Sequence, residues 1–337
     1  NPGVAMSSSK LLWASSLSIG IDRDGSYYPA VDGIDFYIGK GEILGLVGES
    51  GCGKSMTALA ITGLLPDGLV IRNGSVLFEG ENLIGMPEKE MARLRGRAIS
   101  MVFQEPMSSL NPLMKIGKQV SEAVRLHDPK PKREAERLAE AVLGKVGLQN
   151  PKNLMQCYPH QLSGGMQQRV MIAMAIISNP KLMIADEPTT ALDVTMQAQI
   201  LDLLKSINQE YGMAMLFISH DLGVVSRFCD RMAVMYAGKI VEEGTVSNIF
   251  KHPVHEYTRG LLESIPRADS RGKTLASVKG RVPNIFEKRM PCAFAPRCQK
   301  VQDRCLKCDP PNIALSQNHT ARCILAENES EINYASI

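Results

Sequence analysis

Gly48-Glu49-Ser50-Gly51-Cys52-Gly53-Lys54-Ser55 fits the pattern G-x-x-x-x-G-K-S, between an apolar β-type run from Ile43 to Val47 and a helical run that begins at Lys54. The chemistry needs those neighbours. Glycines let successive backbone N–H groups curl around phosphate oxygens, and the opening helix adds the positive end of its dipole. Lys54 then offers a cation to β- and γ-phosphates, and Ser55 a hydroxyl to Mg²⁺. A chance match in a chain of average composition has a probability on the order of 1%, so an ordinary glycine-rich turn is a weak competitor. Cys52 sits at an unconstrained position and reads as a small space-filler rather than a redox sensor.

Outward from this loop, Val31 to Ile38, Ile43 to Val47, Ser75 to Phe78 and Ile99 to Phe103 read as strands, with one helix from Lys54 to Leu65. From Pro106 to about Asn179 the pattern turns helical, with Ala135, Leu138, Val142 and Val146 on one face. Strand-like runs return at Leu182 to Ala185 and Met213 to Ile218, separated by a helix over Val194 to Glu210. That alternation belongs to a parallel sheet. The fold class is therefore α/β: a P-loop domain with a mixed-sheet core and an inserted helical subdomain. After about Pro266 regular periodicity is lost and Pro, Arg and Cys increase. The expected division is an ATPase domain over residues 6–265, its helical part at 106–179, and a small irregular extension over 266–337. Asn1–Ala5, ahead of Met6, read as an appended remnant.

At 337 residues and 44% hydrophobic content, the chain can bury a substantial core. A net charge of +3 gives no support to a strongly basic nucleic-acid surface, and no nucleic-acid partner is expected. No apolar run approaches the roughly 18 residues that cross a bilayer. The stretch from Leu11 to Ile19 has the alternation of a half-exposed strand rather than of a secretory segment. Met166, Met171 and Met174 on one helical stretch read as core. Of eight cysteines, Cys292, Cys298, Cys305, Cys308 and Cys323 crowd the end, which points to a local metal site in a chain without a credible export signal.

Leu182-Met183-Ile184-Ala185-Asp186-Glu187 ends an apolar strand in two acids. Asp186 is placed to hold the Mg²⁺ shell of a P-loop protein, and Glu187 to polarise an attacking water. Leu162-Ser163-Gly164-Gly165-Met166-Gln167-Gln168-Arg169 closely resembles the signature L-S-G-G-x-x-Q-R of ABC ATPases. In that family two such domains meet head to tail, so the resemblance implies that Ser163, Gly164 and Gly165 face the nucleotide of a second subunit. By the same resemblance Gln104 is the Q-loop glutamine that contacts Mg²⁺ and the attacking water. Ala191-Leu192-Asp193 resembles the D-loop, with Asp193 at the dimer interface, and His220 after Phe217-Ile218-Ser219 resembles the switch histidine at the γ-phosphate. The aromatic that stacks on adenine falls at Tyr28, or at Tyr27 beside it.

Phe103-Gln104-Glu105-Pro106-Met107-Ser108-Ser109-Leu110-Asn111-Pro112 is similar to the segment after the Q-loop in di- and oligopeptide importer ATPases. His252-Pro253 followed by Tyr257-Thr258 resembles the H-P-x-x-x-Y-T segment that opens their C-terminal extension. The resemblance runs from about Lys10 to about Leu325 and implies an ATP-hydrolysing importer subunit on the cytoplasmic face of the cell inner membrane. Nickel and opine carriers share the group, and a soluble ABC ATPase not coupled to transport is the other alternative. Implied partners are a second ATPase subunit, identical or paralogous, two membrane-spanning permease subunits, and an extracytoplasmic substrate-binding protein acting through them. Implied cofactors are ATP and Mg²⁺. Arg281-Val282-Pro283, then Cys292, Cys298, Cys305 and Cys323, resembles the four-cysteine arrangement that holds a [4Fe–4S] cluster in several members, with Zn²⁺ as the alternative. Cys308 makes Cys305-Leu306-Lys307-Cys308 a C-x-x-C pair and leaves the third ligand open between Cys305 and Cys308.

Overall fold

The computed structural model describes residues 9–127, 130–190, 192–265, 278–287 and 289–327. Ala191 of the D-loop, the remnant Asn1–Ala5 with Met6, the boundary at Pro266 and the chain end after Glu327 lie outside them. Twelve strands are formed among the described residues: β1 Lys10–Arg23, β2 Ser26–Gly39, β3 Ile43–Val47, β4 Leu69–Phe78, β5 Glu81–Asn82, β6 Ile99–Val102, β7 Leu182–Asp186, β8 Ala214–Ser219, β9 Arg231–Tyr236, β10 Lys239–Thr245, β11 Asn312–Ser316 and β12 His319–Arg322. The chain divides into two compact units, one of residues 1–11, 38–42 and 85–218, the other of 12–37, 43–84 and 219–337.

In the first unit β7 pairs in parallel with β6 on one side and β8 on the other, in register at Met183↔Ser100 and Met183↔Met215. Every residue of β7 and β8 is buried. Strands covered on both faces have no solvent side to leave a polar alternation, which is why these stretches are continuously apolar. Three helices, Ile116–His127, Lys132–Lys145 and Gly164–Ile176, pack on one another. Ala135, Val142 and Val146 are buried as their spacing predicts, whereas Leu138 is 37% exposed at the edge of the stripe. Met171 is buried in the Gly164–Ile176 helix, as core.

In the second unit β3 runs parallel to β9, and β10 continues antiparallel from β9. A separate four-stranded sheet has the order β2-β1-β4-β5. The extension is less irregular than its sequence predicts: β11 and β12 form a hairpin, and β12 pairs with β10 at Glu242↔Ala321 and Gly244↔His319. Glu242 fastens this edge. Its buried carboxylate accepts the backbone N–H groups of Val254 at 2.9 Å and His255 at 3.0 Å, and lies 2.8 Å from His319 Nε2. Apolar Val254, Leu315, Ala321 and Ala326 close over the hairpin.

Candidate functional site

The phosphate loop follows β3 and leads into the helix Lys54–Ile61, all within the second unit. Gly48 has to be glycine because a Cβ there would sit 2.1 Å from the Met235 carbonyl oxygen. Gly53 combines a left-handed φ of 108° with Ala30 O only 2.9 Å from where a Cβ would be. Lys54 is buried and folded onto its own loop, its Nζ donating to Gly48 O at 2.8 Å and Glu49 O at 3.1 Å. Cys52 is fully buried beneath the loop, and that burial pushes its thiol up, so it remains protonated filler at neutral pH.

Glu49 also meets residues whose function the sequence left unread. Its backbone N–H donates to Tyr257 Oη at 2.9 Å, and its carboxylate is paired with Arg297 at 3.0 Å. Tyr257 stood inside the H-P-x-x-x-Y-T segment and Arg297 beside Cys298. Pairing with a loop more than two hundred positions away carries no local sequence signal.

Tyr28 and Tyr27 project from β2 with different surroundings. Tyr28 meets the Phe286 ring edge-on at a centroid distance of 5.1 Å, while the Tyr27 ring is covered by the Arg72 guanidinium at 4.6 Å. His220, exposed, follows β8 in a turn fixed by Asp221, whose N–H donates to Ser219 Oγ and whose carboxylate caps the next helix by accepting from Gly223 and Val224 N–H.

The first unit carries the other motifs. Asp186 ends β7 and is only 6% exposed, and Glu187 beside it is held in the left-handed region at φ 45°. Its N–H donates to Ile218 O, and its Oε2 accepts from Gln104 Nε2 at 3.2 Å and Thr190 Oγ1 at 3.0 Å. Gln104 and Glu187 are thus brought together across 83 positions. Thr190 was missed, since a threonine three residues past an acid has no distinguishing pattern.

Ser163 caps the helix Gly164–Ile176 by accepting from Met166 N–H, and it and Gly164 are exposed, leaving an open helix N-terminus. Gly165 packs against Met196, where a Cβ would come within 2.5 Å of the methionine methyl. Asp193 caps the helix Val194–Tyr211 through Met196 N–H at 2.8 Å.

The metal expected on the cysteines of the extension is not shown. Among the described residues no three His, Cys, Asp or Glu side chains are arranged to hold a metal ion, and the cysteines are free thiols. Local structure accounts for this: Cys305 Sγ accepts the Gln302 N–H within its own short helix and packs with Ala295 and Ile324. Burial, with contributions from neighbouring Cys292, Cys298 and Cys305, pushes the Cys323 thiol up to about 11. Burial likewise pushes the Cys292 and Cys298 thiols up, with neighbouring Cys305 contributing to each, and Cys305 is buried whereas Cys308 is exposed. Four cysteines of the extension, Cys292, Cys298, Cys305 and Cys323, are buried or half-buried, while Cys308 is exposed; as thiol donors they are of the type that iron–sulfur centres use.

A second glycine turn at a helix start, far along the chain from the phosphate loop, is what an ATP-binding cassette requires, and this chain is built as one. A family model described as ABC transporter matches residues 31–190, and one described as oligopeptide/dipeptide transporter, C-terminal region, matches 241–305. The oligopeptide transport ATP-binding protein AppD of Bacillus subtilis is 48% identical over 95% of this chain and 98% of its own. The dipeptide transport ATP-binding protein DppD of the same organism is 44% identical over 96% of each. A solved ATP-binding cassette dimer, in a post-hydrolysis state bound to ADP and Pi, is 27% identical with a TM-score of 0.63, covering 70% of this chain and 98% of that one. The chain belongs to the oligopeptide and dipeptide transport ATP-binding proteins of the ABC transporter family.

Proposed function

We propose that this chain binds and hydrolyses ATP to energise uptake of di- or oligopeptides. The observation that carries the reading is the Glu187 carboxylate, oriented by Gln104 and Thr190 at the end of a strand whose last residue is Asp186. Lys54 and the loop formed by Gly48, Glu49, Ser50, Gly51, Cys52, Gly53 and Ser55 receive the phosphates. Asp186, Ser55 and Gln104 are the residues that would hold Mg²⁺, which when bound neutralises charge on the phosphate oxygens. Glu187 accepts a proton from the attacking water, and His220 contacts the γ-phosphate side. Tyr28 supplies the adenine platform. Ser163, Gly164, Gly165 and Asp193 serve the nucleotide of a partner chain, identical or paralogous.

No helix of the described residues is long and apolar enough to cross a membrane, so membrane attachment is assigned to two permease subunits at the cytoplasmic face of the inner membrane. A substrate-binding protein reaches the assembly through those subunits. Residues 6–265 are assigned to the ATPase domain, with 106–179 its helical part, and 266–337 to the extension. Affinity purification of the chain from detergent-solubilised membranes should bring down two integral-membrane subunits with Mg-ATPase activity that Lys54→Ala removes. Recovery of an active chain without membrane subunits would refute the transport reading.

The extension is assigned a structural [4Fe–4S] cluster on Cys292, Cys298, Cys305 and Cys323, with Zn²⁺ as the alternative occupant. Support comes from the thiols of Cys292, Cys298 and Cys323, each pushed up by burial with neighbouring cysteines adding to it, a donor set whose ionisation a bound metal would favour. Anaerobically prepared protein should be brown and hold about four irons per chain. Stoichiometric zinc without iron would reject the cluster.

A further inference from the structure

Arg297 is a heavily engaged cation of the second unit. Its side chain is 5% exposed, and each guanidinium nitrogen donates: Nε to Lys279 O at 2.8 Å, one terminal nitrogen to Glu49 Oε2 at 3.0 Å and Tyr236 Oη at 3.3 Å, the other to Glu49 Oε1 and Val278 O, both at 3.0 Å. Rings of Tyr236 and Phe294 flank its charge at 5.6 and 5.8 Å. A buried guanidinium is tolerated only when its donors are used, and a two-point pairing with a carboxylate fixes geometry as well as charge.

The carboxylate at the far end of this pairing occupies an awkward place. Glu49 is the second residue of a loop whose task is to receive a polyanion, and an unneutralised carboxylate there would repel phosphate. Glu49 is also fixed at every polar group of its own: the N–H by Tyr257 Oη, the carboxylate by Arg297, and the carbonyl by Lys54 Nζ. The resting place of the loop lysine therefore depends on a residue that the extension holds.

We propose that Arg297 is a positioning residue for ATP binding: acting through Glu49, it neutralises and shapes the phosphate loop and makes the C-terminal extension part of the nucleotide site. The inference rests on the ATPase reading and adds to it a residue outside the cassette motifs. Because the phosphates are held by the loop both before and during reaction, loss of Arg297 raises KM for ATP and leaves kcat nearly unchanged.

The test uses the full chain, with equilibrium titration of Mg-ATP, and KM and kcat in the assembled transporter. Arg297→Met should weaken Mg-ATP binding about tenfold, and Arg297→Lys less, because it keeps a charge without the fork. Adding Glu49→Gln to Arg297→Met should recover most of the loss, since the repelling carboxylate is then absent. A merely structural Arg297, holding the chain at Val278 and Lys279, would show no such recovery. Should Arg297→Met not fold, Arg297→Lys with and without Glu49→Gln carries the same comparison. Affinity within about twofold of the unmutated chain in the Arg297 variants, or a double variant as weak as the single, overturns the inference. An unmutated chain that binds no Mg-ATP would instead remove the ATPase reading itself.

Discussion

Glu187→Gln separates the position of the proposed general base from its basicity. In the structure one carboxylate oxygen, Oε2, accepts both the Gln104 Nε2 and Thr190 Oγ1 hydrogen bonds. A glutamine amide oxygen can occupy that point and keep both donors satisfied, so the side chain stays where it is. The left-handed backbone at φ 45° carries the same cost for Gln as for Glu, and folding is untouched. What disappears is the ability to take a proton from water. General-base catalysis contributes about 10²- to 10⁴-fold, so kcat should fall by that factor, a rise of about 3–5 kcal/mol in the barrier. Lys54 and its loop lie in the other unit and are unaltered, so the affinity for ATP should hold. The assay is steady-state phosphate release by the assembled transporter beside nucleotide titration of the same preparation. Turnover within about threefold of the unmutated protein would remove Glu187 from the base role.

Mixing chains mutated separately at Lys54→Ala and Ser163→Arg should restore part of the ATPase activity if identical chains pair, because one composite site regains both halves. No recovery, with mixed dimers demonstrated, would contradict head-to-tail sharing. Glu242→Ala leaves the Val254 and His255 N–H groups and His319 without their shared acceptor and should cost about 3–6 kcal/mol in urea unfolding. A loss below about 1 kcal/mol would show that the hairpin edge is held otherwise. His255 is pushed down to about 4 by burial, so the unfolded chain binds its proton first. Its contribution to stability is complete above about pH 6.5 and is lost as the pH falls towards 4; His255→Gln should flatten that slope, and an unchanged slope would assign it to other groups.

Glycine turns and apolar strands gave themselves away because backbone chemistry imposes them locally. Gly48 and Gly53 are demanded by close carbonyls, and β7 and β8 by burial on both faces, so residue type alone locates them. The extension was read as irregular because β11 and β12 are only five and four residues long, and β12 has Ala321 as its one apolar residue, leaving too few apolar residues for a period to register. Thr190 and Arg297 were illegible for a different reason. Their partners, Glu187 and Glu49, are chosen by tertiary approach, and threonine or arginine at such spacing is ordinary surface composition. Leu138 shows the limit of a helical stripe, whose edge positions alternate between burial and exposure according to the neighbour they meet.

The central claim is that ATP hydrolysis by this chain drives peptides inward. The direct measurement is uptake of a labelled peptide series by proteoliposomes that contain the chain with its permease subunits, with binding protein and peptide on the receptor side and Mg-ATP on the side of the ATPase. Accumulation should require ATP, stop with Glu187→Gln, and extend over di- or oligopeptides. ATP hydrolysis without movement of any peptide, or peptide uptake that persists in Glu187→Gln, would contradict the account.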